Sequence, residues 1–167
     1  MHSPHTNTTH TGGFTLIEVM VAMFLLALVV AAGATAASSG LRATFAASDR
    51  VTAFYMAQEA VEVVKNIRDT NAKKGSSWHW LNGIDPCIGT TCEADGIAGT
   101  LSTCSNCTVL RDGANGFFGD TGDGTRFTRV VEIEEIGSED REIRVDVTMT
   151  WDDNKLIISE HVFNWRI

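Results

Sequence analysis

The sequence predicts an α+β chain. A long N-terminal helix, membrane-spanning in its first half and amphipathic in its second, packs on a small C-terminal antiparallel β-sheet, with a cysteine-containing irregular loop between. Three observations predict it. Residues 14–37 are apolar except at Thr15, Glu18, Gly33 and Thr35. Residues 41–71 repeat apolar side chains at helical spacing, and residues 126–165 read as three strands, partly alternating over 126–136 and cleanly alternating over 143–151.

The first element, residues 1–13, is polar and carries His2, His5 and His10 but no Lys or Arg. Pro4 disfavours a helix there. The irregular spacing of the histidines in a Thr/Asn-rich tail favours solvated side chains over a metal site. Residues 14–37 are long enough for a bilayer core, which needs about 20 mostly apolar residues as a helix. Backbone groups in lipid must pair internally, so this stretch is expected to be helical. A secretory signal peptide could be cut near Ala31, Ala34 or Ala36-Ala37, but the run is longer than an h-region and no basic residue precedes it. One residue resists the apolar pattern. A charge at mid-bilayer costs roughly 2.5–3.5 kcal/mol, so Glu18 needs a reason beyond the roughly 0.3–1 kcal/mol that a first-turn acid gains from the helix dipole.

Residues 38–71 continue the helix. Leu41, Phe45, Val51, Phe54, Val61, Val64 and Ile67 form a stripe widened by Met56, Ala57, Ala60 and Val63, with Arg50, Gln58, Glu59, Glu62, Lys65 and Arg68 opposite. Ser38-Ser39-Gly40 could bend it. The breaker cluster from Asn71 to Ser77 ends it, with Lys73-Lys74 suited to the negative end of the helix dipole.

Residues 72–125 are rich in Gly, Ser, Thr, Asn and Asp and are read as irregular. Trp78 and Trp80 are read as local core anchors. Cys87, Cys92, Cys104 and Cys107 form C-x4-C and C-x2-C pairs. In a reducing compartment such pairs suggest zinc; beyond a membrane they suggest disulfides, which the anchor favours. Three pairings are open, nested or local among them. Asp112, Asp120 and Asp123 resemble part of a calcium loop, but the twelve-residue spacing and closing Glu are missing. A turn is the better reading.

Residues 126–167 make the sheet. Arg126 to Ile136 is β-branched and partly alternating. Ile143, Val145, Val147, Met149 and Trp151 alternate with Arg144, Asp146, Thr148 and Thr150. Lys155 to Trp165 follows a turn at Asp152-Asp153-Asn154. Residues near Gly137 to Asp140 make the other turn, so a meander is expected.

The formal charge is −8, and nearly all of it lies beyond the apolar run. Such an acidic region does not attract nucleic acid by bulk electrostatics. The linear sequence offers no nucleophile–base pair, phosphate loop or clustered acids. It therefore points to no enzyme and no cofactor.

Gly13-Phe14-Thr15-Leu16-Ile17-Glu18 and the following Val-Met-Val-Ala closely resemble the N-terminal signature of the type IV pilin and type II secretion pseudopilin family. Residues 55–69 resemble, less specifically, the minor subunits of that family. The resemblance implies that a prepilin peptidase cuts between Gly13 and Phe14 and methylates the new Phe14 amine. It further implies a chain held single-pass in the cytoplasmic membrane, with its head outside, before joining a pilus or pseudopilus. The partners would be lipid, the inner-membrane assembly platform and other subunits. The leader departs from the family in lacking basic residues, and Arg42 and Arg50 lie on the other flank, so orientation rests on the resemblance. Glu18 would then pair with the Phe14 amine in the filament core, because a carboxylate in low dielectric is costly unless paired. The resulting segments are a leader at 1–13, a core helix at 14–37, its amphipathic continuation at 38–71, the cysteine loop at 72–125 and the sheet at 126–167.

Overall fold

The computed structural model describes residues 12–75, 78–111, 118–119, 123–137 and 141–165. One helix, α1, runs from Leu16 to Lys73 without interruption at Ser38-Ser39-Gly40. Compactness divides the chain into a unit ending at Ala46 and a unit beginning at Ala47. In the first unit, every described residue is exposed in the single chain.

The second unit, the head, packs the rest of α1 on a seven-stranded sheet. Its strands are β1 (Thr91–Asp95), β2 (Thr100–Thr103), β3 (Thr108–Arg111), β4 (Phe118–Gly119), β5 (Asp123–Glu135), β6 (Glu142–Trp151) and β7 (Asn154–Phe163). A short 3-10 helix, Asp85–Cys87, precedes them. Strands β5, β6 and β7 form the expected antiparallel meander. The N-terminal part of β5 also pairs with β3, and its C-terminal part with β1. The segment expected to be irregular thus contributes short strands to the same sheet. They escape the sequence pattern because they span only two to five residues and are rich in Thr, Ser and Cys.

The β6 pattern is realised throughout: Ile143, Val145, Val147, Met149 and Trp151 are buried, with the residues between them half-buried. Trp151 lies opposite Phe127 on β5, with ring centroids 5.9 Å apart. The tight turn to β7 places Asp152 at φ 49, a left-handed conformation that Asp tolerates better than most residues.

The helix stripe is shorter than its sequence suggests. Ala53, Met56, Ala57, Ala60, Val61, Val63 and Val64 are buried, whereas Leu41, Phe45, Val51 and Phe54 are exposed. Asn71 is not a breaker but a buried helical residue. Its amide donates to the carbonyls of Trp80, at 3.1 Å, and Asn82, at 2.7 Å. This seats the loop after the helix. Glu59, expected on the solvent face, instead accepts a hydrogen bond from Arg129 at 2.8 Å.

Arg129 is the unexpected member of the core. It stands on the inward side of β5 with Phe127, Val131 and Ile133, and is 2% exposed. Its guanidinium also donates to the carbonyls of Met56, at 2.9 Å, and Ala94. One side chain therefore joins α1, β1 and β5.

Exposed pairs fasten the rim. Arg126 bridges Asp49 at the start of the head helix and Asp152 in the last turn. Lys65 joins α1 to β7 through Glu160 at 3.1 Å. Partial burial pulls the Lys65 ammonium down, but Glu160 and Glu62 together raise it above its ordinary value. Near the C-terminus, Trp165 Nε1 donates to Asp69 at 3.4 Å. The hydrogen bond from Arg68 outweighs partial burial and holds Asp69 below its ordinary 3.8. A carboxyl depressed in the folded state contributes stability above its unfolded pKa and loses it as pH falls through the folded value. The Trp165 indole N–H signal should therefore shift with an acid midpoint below 3.8, and Asp69→Asn should abolish that titration. A midpoint at or above 3.8 would contradict the assigned pairing.

Candidate processing and assembly site

The candidate processing residues stand where the helix begins. Gly12 to Thr15 are non-helical, and Leu16 starts α1. A Cβ at Gly13 would meet nothing within 4 Å, and Gly13 is not among the glycines with positive φ. Among the described residues, neither packing nor backbone conformation requires glycine at this position. Phe14 is 82% exposed.

Thr15 caps the helix. Its carbonyl accepts from the N–H groups of Glu18 and Val19 at 3.1 and 3.2 Å. Its hydroxyl oxygen accepts from Glu18 N–H at a long 3.4 Å. Thr15-x-x-Glu18 is the spacing of a capping box, and Phe14 and Val19 occupy the positions of a hydrophobic staple. These local roles could have been recognised from the S/T-x-x-E spacing alone. They add to the dipole term at Glu18, and all of them are small beside the cost of a buried charge.

Helix α1, Glu18 included, has a stretch apolar enough, by length and composition, to cross a membrane. Its most apolar 18-residue window has mean hydropathy 2.6, and none of that window is buried in the chain. An exposed apolar surface of this extent requires lipid or protein to cover it.

The four cysteines form two local disulfides, Cys87–Cys92 and Cys104–Cys107. The first ties the 3-10 helix to β1 and is fully buried. The second closes the β2–β3 connection, where Cys107 takes φ 49. The nested pairing is not adopted. Because longer closed loops constrain the unfolded chain more, these staples fix turns rather than the whole segment. With all four sulfurs paired, the thiolate zinc site is excluded in this structure.

Asp112 and Asp120 lie outside the described residues. Asp123 opens β5, paired in register with Arg111. Among the described residues, no group of three or more His, Cys, Asp or Glu is placed to hold a metal ion.

The family model described as the prokaryotic N-terminal methylation motif matches residues 9–34. Comparison with the curated proteins and with the solved structures gives no match. The motif implies processing by a prepilin peptidase and assembly with other pilin subunits, and its bearers are structural subunits. Together with the apolar helix it supports membrane anchoring followed by incorporation in a filament. The chain thus carries the N-terminal motif that marks type IV pilin-like and pseudopilin proteins.

Proposed function

We propose that the chain is a minor subunit of a type IV pilus or type II secretion-like filament. A prepilin peptidase removes residues 1–13 and methylates Phe14. The core helix, 14–37, sits in the inner membrane as a single span with the head outside. The assembly platform then moves it from lipid into the filament. The observation that carries the reading is the methylation motif running directly into an exposed apolar helix.

The position of Gly13 supports cleavage after it. Glycine lets a protease approach the backbone closely, and among the described residues nothing packs against it there. Glu18 is proposed to pair with the cationic Phe14 amine of a neighbour. At 4 Å and an effective dielectric near 20, such a pair attracts by roughly 4 kcal/mol. Desolvation offsets part of this, so the pair sets axial register more than it adds stability.

The test is fractionation of sheared filaments from cells that contain prepilin peptidase and the assembly platform. The head should co-purify with the filament at a small fraction of the main subunit. Equal stoichiometry would make it the main subunit. Exclusive recovery from the membrane, with the leader retained, would identify a plain anchor.

A further inference from the structure

The geometry points to a carbohydrate-binding cleft in the head, one that takes N-acetylated pyranose chains with Trp78 as its stacking platform. The inference holds whether or not the chain enters a filament, because all of its residues belong to the head. An open cavity of about 430 Å³ lies between the C-terminal end of α1 and the β1–β2 turn, lined by Asn66, Thr70, Trp78, Asn82, Thr100 and Leu101. Its size falls within the range of small-molecule sites, roughly 300–1,000 Å³.

Trp78 and Trp80 have opposite fates. Trp80 is buried at 3%, as a core anchor should be, whereas Trp78 is 42% exposed. Lys74 Nζ sits 4.2 Å from the Trp78 ring centroid, a cation–π contact that holds the exposed indole in place and covers one of its faces, so a sugar ring would stack on the opposite face. Sugar rings present faces of C–H groups, which pack against aromatic faces. Their hydroxyl and acetamido edges need donors and acceptors beside that face.

The cleft supplies these edges. An Asn amide offers both donors and an acceptor, and a Thr hydroxyl does the same. No side-chain hydrogen bond ties up Asn66, Thr70, Asn82 or Thr100 among the described residues. The floor is fixed, since the buried Asn71 amide holds the Trp80 and Asn82 carbonyls. Gly83 and Gly99, at φ 85 and 68, carry the backbone along the cleft without side chains to fill it. Among the described residues, the one charged group lining it is Lys74, and its ammonium lies over the indole. An uncharged ligand fits this lining better than an ionic one. The acetamido group matches the two Asn amides, and its methyl matches Leu101.

The test is calorimetric titration of the full chain with chitotetraose, in micelles whose headgroup carries no sugar, with cellotetraose as the comparator. Saturable binding of chitotetraose is expected. Trp78→Ala should weaken it about tenfold, the change that corresponds to 1.4 kcal/mol, and Asn66→Ala should weaken it as well. Both residues are exposed, so circular dichroism of the variants should match the parent. Failure of the parent chain to bind, or undiminished binding by Trp78→Ala, would overturn the cleft. Equal binding of cellotetraose would overturn the acetamido assignment.

Discussion

Arg129→Ala is expected to destabilise the head by about 2–5 kcal/mol, the range for truncating a long core side chain to alanine; the Glu59 carboxylate it leaves behind is 38% exposed and is solvated. The substitution removes the bonds to Met56, Glu59 and Ala94 at once, and with them the pin between α1, β1 and β5. It also leaves a hole between Phe127 and Val131 on the inward face of β5. Burying the guanidinium is itself costly, and its Nε finds no partner among the described residues. The net value of Arg129 is therefore smaller than the cost of deleting it. Arg129→Met should accordingly lose much less than Arg129→Ala, because an apolar chain of similar length fills the space without a charge to satisfy. Urea unfolding of the full chain in micelles, followed by tryptophan fluorescence, measures both. A loss below about 1 kcal/mol for Arg129→Ala, the scale of an ordinary surface change, would show that the pin does not hold the layers together.

The second large effect is expected at Glu18. Glu18→Ala should insert in the membrane and be cleaved, yet its recovery in filaments should fall by about tenfold or more, the equivalent of at least 1.4 kcal/mol. The variant leaves the Phe14 amine without a partner among apolar helices, where an unpaired charge is costly. Glu18→Gln separates the two roles of this residue. Glutamine keeps the capping-box position behind Thr15 but carries no charge. If register depends on the ion pair, the Gln variant should fail like the Ala variant. Recovery of Glu18→Gln at the parent level would assign Glu18 to helix capping alone.

The long-period features were legible in the sequence. The apolar run and the helical stripe marked α1, and strict alternation marked β6, one face of which is buried and the other half-buried. Arg129 was harder to place. The alternation of Phe127, Arg129, Val131 and Ile133 puts it inward, but a charge is assigned to the outside by default, since charges are almost never fully buried unless paired. Its partner, Glu59, sits 70 residues away, a separation that no local pattern reports. Strands β1 and β3 take their order from pairing with β5, and β2 from pairing with β1, rather than from their own side chains, so propensity gives little sign of them. The cysteine pairing is local, Cys87 with Cys92 and Cys104 with Cys107, one of the three pairings that the spacing alone left open. At the N-terminus the situation is reversed. The Gly13 to Glu18 signature was plain in sequence, while the isolated chain shows only an exposed helix start, because the groups that would give those residues their roles belong to other molecules.

The most direct measurement is intact mass spectrometry, under non-reducing conditions, of the protein recovered from cells co-expressing a prepilin peptidase. The expected species begins at Phe14, carries one methyl group on its amine and contains the Cys87–Cys92 and Cys104–Cys107 disulfides. Recovery of a chain that retains Met1–Gly13 in the presence of active peptidase would contradict the assignment of Gly13-Phe14 as a processing site.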